Sequence, residues 1–275
     1  MANWDLTKSF NFEGHFIKWD KKGKGQPVVL IHGTPWSSFN LRHLINGLAT
    51  HYEVYFYDLL GYGQSAKPNG DVSLAIQNQL LVALLDYWNL EKPFIIGHDF
   101  GGTTVLRTHL LHQRPFQKMV VINPVAISPW GSSFFSHVKK YEMAFAGVPD
   151  HIHEAILKAY LQTAAYHTIE PETMKAIIQP WLGTEGKAAF YRQIAQANSK
   201  YTDEIQPRYS NIQTPTLILW GAKDEWIPVE KGHQLHELIS NSVLEIILDA
   251  GHLVIEEQPK ILIDKILHFL KQPTN

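Results

Sequence analysis

Residues 93–102 read PFIIGHDFGG, an apolar run that ends in Gly97-His98-Asp99-Phe100-Gly101 and passes into a helical pattern. A sharp strand-to-helix turn projects the middle residue of G-x-S-x-G as a nucleophile, and aspartate stands here where that pattern has serine. Gly97 and Gly101 flank it because strand and helix pack too closely at such a turn to admit a Cβ. An aspartate in this place could also do no more than cap the following helix, so its partners decide. LWGAKDEWIP (219–228) sets Asp224 in a loop past one strand end, and LDAGH (248–252) sets His252 past the next. All three residues fall at strand ends in the order nucleophile, acid, histidine. Asp224 then accepts from Nδ1–H of His252 and fixes its tautomer and orientation.

Aspartate, with a reference pKa of ~3.9, is already ionised at neutral pH and needs no base to attack. Attack on an acyl carbon would give a reactive anhydride, whereas attack on a saturated carbon gives a stable alkyl ester. His252 is then the general base for the water that hydrolyses this ester. VVLIHGTPWSS (28–38) supplies a turn after an early strand, and the backbone N–H groups of Thr34 and Phe100 are the expected oxyanion donors. Pro35 has no N–H to give, and its ring fixes the loop that carries Thr34. His32 is expected to be a buried turn histidine bonded to backbone.

The elements that must position these residues follow from the pattern. QPVVLIHG (26–33), YEVYFYDLLG (52–61), KPFIIGHD (92–99), KMVVINP (118–124), TPTLILWG (214–221) and LEIILDAGH (244–252) are short apolar runs broken by Gly, Pro, Asn or Asp. They read as strands buried on both faces of a parallel sheet. Helical spacing fills 72–88, 105–113 and 261–270, the last starting at Pro259. SFNFEGHFIKWD, followed by KKGKG (21–25), reads as an antiparallel hairpin whose glycines make a solvated turn. Strand–helix alternation with right-handed crossovers gives a mostly parallel, doubly wound α/β sheet. The alternation lapses from about 128 to 206, where only helical patterns occur. The expected organisation is a core of 1–127 and 207–275 with a helical cap, 128–206, inserted after the sixth strand, above the carboxyl ends where open α/β sheets bind ligands.

The 275 residues are 45% hydrophobic and 18% charged, with a net charge of -2, which argues against nucleic acid and anionic membrane as partners. There is no cysteine, hence no disulfide or thiolate metal site. The start shows no signal-peptide pattern, and no apolar run approaches the ~20 residues of a membrane span. A cytoplasmic, cofactor-free protein is expected. His151-x-His153 has no nearby acid and reads as a solvated helix start, not a metal site.

HGTPWSS, YDLLGYGQS, GHDFGG, WGAKDEWIP and DAGH together resemble the α/β-hydrolase superfamily over nearly the whole chain. The aspartate at the turn resembles the branch of haloalkane dehalogenases, fluoroacetate dehalogenases and epoxide hydrolases, whose cap matches the 128–206 insertion. Some relatives place the acid after the preceding strand, where this chain has Asn123, which carries no charge. Halide-releasing relatives usually have tryptophan after the nucleophile and many have asparagine in the HG-x-P slot; Phe100 and Thr34 stand there instead. Trp36 or Trp130 would then have to hold a halide. The arginine usual in the fluoroacetate branch is also missing. Epoxide-opening relatives protonate the alkoxide from two cap tyrosines, for which Tyr141, Tyr160, Tyr166 and Tyr191 are candidates and Tyr191 the first choice. The resemblance thus implies hydrolysis of a small apolar organic substrate, epoxides ahead of alkyl halides, with a homodimer left open. A lyase-type use of Asp99 and a silent, ligand-binding hydrolase fold are the rival readings.

Overall fold

The structure is a computed structural model that describes residues 4–273. Its strands are β1 (Lys8–Phe12), β2 (His15–Lys22), β3 (Pro27–Ile31), β4 (Glu53–Tyr57), β5 (Phe94–His98), β6 (Met119–Ile122), β7 (Thr216–Gly221) and β8 (Ser242–Ile247). They form one sheet in the order β1-β2-β4-β3-β5-β6-β7-β8. β1, β2 and β4 pair antiparallel, and β3 to β8 run parallel. The fold is the α/β-hydrolase fold.

Every residue of β5, β6 and β7 is buried, as expected of VVLI-type strands covered by helices on both faces. β8 departs from that expectation: five of its six residues are only partly buried or exposed, because it is the sheet edge. KKGKG also differs from the sequence reading. The hairpin turn is Glu13–Gly14, and KKGKG instead carries the chain from β2 past β4 to β3. Gly23 (φ +84°) is needed there, since a Cβ would lie 2.2 Å from the Tyr52 carbonyl oxygen.

The helices are α1 (Arg42–Leu48), α2 (Leu74–Tyr87) and α3 (Phe100–His112), then, between β6 and β7, α4 (Ser133–Lys140), α5 (Glu142–Ala146), α6 (Asp150–Gln162), α7 (Pro171–Ile178), α8 (Gly183–Gln196) and α9 (Lys200–Asp203). α10 (Glu230–Leu238), α11 (Val254–Glu257) and α12 (Pro259–Lys271) complete the chain. No described helix is long and apolar enough to cross a membrane. Helices α4 to α9 close over the strand ends through specific bonds. The Trp181 indole N–H donates to the Pro35 carbonyl at 2.7 Å, and the Thr34 hydroxyl donates to Gln193 Oε1 of α8 at 2.5 Å.

Parallel register sets the site in the middle of the sheet. Ile31 of β3 is level with Gly97 of β5, His98 with Ile122 of β6, and Ile122 with Leu219 of β7. The residues that follow these four strands therefore converge on one carboxyl edge.

Candidate active site

Asp99 follows β5 with φ 53° and ψ -119°, outside the regions an L-residue prefers, and caps the N-terminus of α3. Close packing holds this strained turn. A Cβ on Gly97 would lie 2.4 Å from the Gly101 backbone, one on Gly101 2.2 Å from the Ile31 carbonyl oxygen, and one on Gly33 2.3 Å from Asp99 Oδ1. Oδ1 accepts the Thr34 N–H at 2.6 Å. Phe100 opens α3, so its N–H has no partner within the helix.

His252 is fully buried, with Nε2 3.2 Å from Asp99 Oδ2. That approach is an ion-pair contact, not an aligned hydrogen bond, because Nε2 has no hydrogen-bond partner of acceptable geometry. Nδ1 is 2.9 Å from Asp224 Oδ2. Asp224 is saturated: Oδ2 also accepts from Asn123 Nδ2 at 2.6 Å, and Oδ1 accepts the Trp226 and Ile227 N–H groups at 2.9 and 2.8 Å. Four donors hold the carboxylate in one orientation, which in turn orients the imidazole. Asn123, at the other strand end where an acid could stand, thus holds the acid that follows β7. Its Oδ1 is fixed by the Gly221 N–H at 3.2 Å.

Burial alone would lower the pKa of His252, but the charge and hydrogen bond of Asp224 and the close Asp99 carboxyl override it and raise the value to about 10. At neutral pH the resting site is therefore an imidazolium between two carboxylates. His98 takes the opposite course. Burial, helped by the His252 charge, lowers it to about 4, so it is neutral and its Nε2–H donates to the His252 carbonyl at 3.0 Å. His32 is neutral as well, because Nε2 accepts the Leu59 N–H and Nδ1–H donates to the Gly33 carbonyl. It is the buried turn histidine the sequence suggested.

A small cavity of about 30 Å³ adjoins Asp99, walled by Phe100, Val125, Trp130, Phe135, Tyr160, Trp226 and Ile227, with Thr34, Gly131 and Ser132. Asp99 is its one charged residue. The sequence candidates divide here. Trp130 lines the cavity, but its indole N–H is bound to Thr202 Oγ1 at 3.0 Å. Trp36 is buried outside the lining, nearly parallel to Trp226 at 5.7 Å. Tyr191 does not reach the cavity either, because its hydroxyl donates to His153 Nδ1 at 2.8 Å behind the wall. His153 is no solvated residue: it is buried, and its Nε2–H donates to the Trp181 carbonyl at 2.9 Å. Tyr141 and Tyr166 are exposed. The tyrosine at the cavity is Tyr160, and Trp226, two residues beyond Asp224 in DEW, is the wall residue that the sequence reading passed over.

The α/β hydrolase fold pattern matches residues 26–259. The chain belongs to the α/β-hydrolase fold family. This hydrolase superposes with TM-score 0.94 on the crystal structure of an α/β hydrolase fold protein from Burkholderia ambifaria, 45% identical and covering 96% of this chain and 98% of that one. It is 26% identical to a 2-hydroxy-6-oxo-6-(2'-aminophenyl)hexa-2,4-dienoic acid hydrolase of Metapseudomonas resinovorans, over 97% of this chain and 91% of that protein. A haloalkane dehalogenase of Agrobacterium tumefaciens shares the fold at 20% identity and TM-score 0.78, over 96% of both chains.

Proposed function

We propose that this hydrolase opens small uncharged epoxides through an ester of Asp99. The observation that carries the reading is the placement of the Asp99 carboxylate, with Oδ1 on the Thr34 N–H and Oδ2 against His252 Nε2 at a small, mostly apolar cavity. Oδ2 attacks the ring carbon, the C–O bond breaks, and the emerging alkoxide takes the Tyr160 proton. Burial and the Asp99 charge both raise the Tyr160 pKa, so the phenol is protonated at the outset. Esterification neutralises Asp99 and removes one of the two anions that hold the His252 proton. That proton passes to the tyrosinate, and neutral His252 then draws a proton from water as it attacks Cγ. Oδ1, as carbonyl and then oxyanion, keeps the Thr34 N–H and gains the Phe100 N–H as the charge develops, where one donor is typically worth ~3–4 kcal/mol. Collapse of the adduct releases a diol and restores Asp99 and the imidazolium.

Epoxides rank above halides because the indole donors at the cavity are engaged. Trp130 Nε1–H is on Thr202 and Trp226 Nε1–H on Thr163, while the Tyr160 and Ser132 hydroxyls remain at the wall. Dehalogenation draws on one observation, the Trp36 N–H, which is buried without a hydrogen-bond partner. The test compares small epoxides with matched bromoalkanes on one preparation, with Asp99→Ala as the blank. Diol formation with slow bromide release is expected. Fast bromide release with inert epoxides would reverse the ranking, and inertness of both would favour the lyase or binding readings.

A further inference from the structure

Trp226 touches more of the site than its place in a loop suggests. Its ring lies 4.6 Å from Tyr160 at an interplanar angle of 14°, and 5.1 Å from His252 at 28°. Its main-chain N–H holds Asp224 Oδ1. Its indole N–H donates at 2.9 Å to Thr163 Oγ1, which caps α6 and itself donates to the Tyr160 carbonyl. One side chain thus joins the helix that carries the proposed acid, the histidine, and the loop of the histidine's carboxylate partner.

We propose that Trp226 is a positioning residue through which α6 holds the His252 imidazole in register for ester hydrolysis; the proposal rests on the Asp99 ester reading above. The physical basis is twofold. An aromatic face beside an imidazolium favours the charged ring, and a residue tethered through its indole N–H to Thr163 and its main-chain N–H to Asp224 leaves the histidine one orientation. The groups facing His252 are the carboxylates of Asp99 and Asp224 and the neutral ring of His98, 5.2 Å away. Trp226 is the neighbour that links this set to the cap.

The test uses the full-length protein with a small epoxide in single turnover, following ester formation and decay by intact mass. Trp226→Ala should slow ester decay about tenfold more than ester formation and lower the His252 titration midpoint, read by nitrogen-labelled imidazole NMR, by about one pH unit. Trp226→Phe keeps a ring but loses the N–H tether, so it should restore the midpoint and leave decay slow; Thr163→Val, which removes the tether together with the Thr163 bond to the Tyr160 carbonyl, should likewise slow decay with the midpoint nearly unchanged. Equal slowing of both steps in Trp226→Ala, or no change in the midpoint, would overturn the proposal. If no ester forms in any variant, the Asp99 reading fails by itself, and the NMR midpoint still decides on Trp226.

Discussion

The two sides of the cavity are built differently. On the sheet side, the triad is anchored by backbone and side-chain donors: four on the Asp224 carboxylate, the Thr34 N–H on Asp99, and His98 on the main chain of His252. On the cap side, the polar tip of Trp130 turns to Thr202, so it presents ring surface to the cavity, and Tyr191 stays outside the lining on His153. The core fixes the mutual geometry of Asp99, Asp224 and His252. The cap leaves a small volume with the Ser132 and Tyr160 hydroxyls at its wall. Substitutions in the first should alter chemical steps with every substrate, and those in the second should alter which substrate reacts.

The largest effect is expected on the sheet side. Asp224→Asn leaves the histidine without its charge and offers the wrong tautomer, so ester hydrolysis should fall by about 10⁴ while ester formation falls far less. Rapid-quench measurement of both steps checks this, and an unchanged decay rate would transfer the acid's role elsewhere.

Across the cavity, Tyr160→Phe should slow epoxide opening by about 10², as expected for loss of a general acid. Tyr191→Phe should change it little, because that hydroxyl serves His153. Equal losses in the two variants would mean that the cap's packing, not the Tyr160 proton, is what matters. A smaller change is expected of Phe100→Trp, which adds an N–H donor beside the leaving group and should raise bromide release about tenfold if the ring fits.

The smallest effect concerns stability. The folded pKa of His252 lies above its reference value, so its contribution is complete below ~6.5 and is lost as pH rises through about 10. The melting temperature should fall by roughly 5 °C between pH 7.5 and 10.5, and His252→Gln should flatten that slope.

What the sequence made legible follows the same division. Gly97 and Gly101 around Asp99, and Gly251, where a Cβ would lie 2.9 Å from the Ala164 carbonyl oxygen, mark close backbone approaches, so strand ends and the meeting of Asp99, Asp224 and His252 could be read in one dimension. The sheet order of the KKGKG connection could not, because a glycine-rich turn and a crossover share a composition. Nor could the choice of Tyr160 over Tyr191. Both lie in helical patterns, and only packing shows that one hydroxyl meets a buried histidine while the other ring meets the cavity. The burial of His153 is hidden for the same reason, since it comes from Tyr191 of a neighbouring helix and not from its own segment.

The account stands or falls on a covalent bond to Asp99. His252→Gln, incubated with a small epoxide and analysed by intact mass and peptide mapping, should accumulate one substrate-sized adduct on the peptide containing Asp99, with diol formation arrested. An adduct on another residue, or turnover that survives Asp99→Ala undiminished, would contradict it.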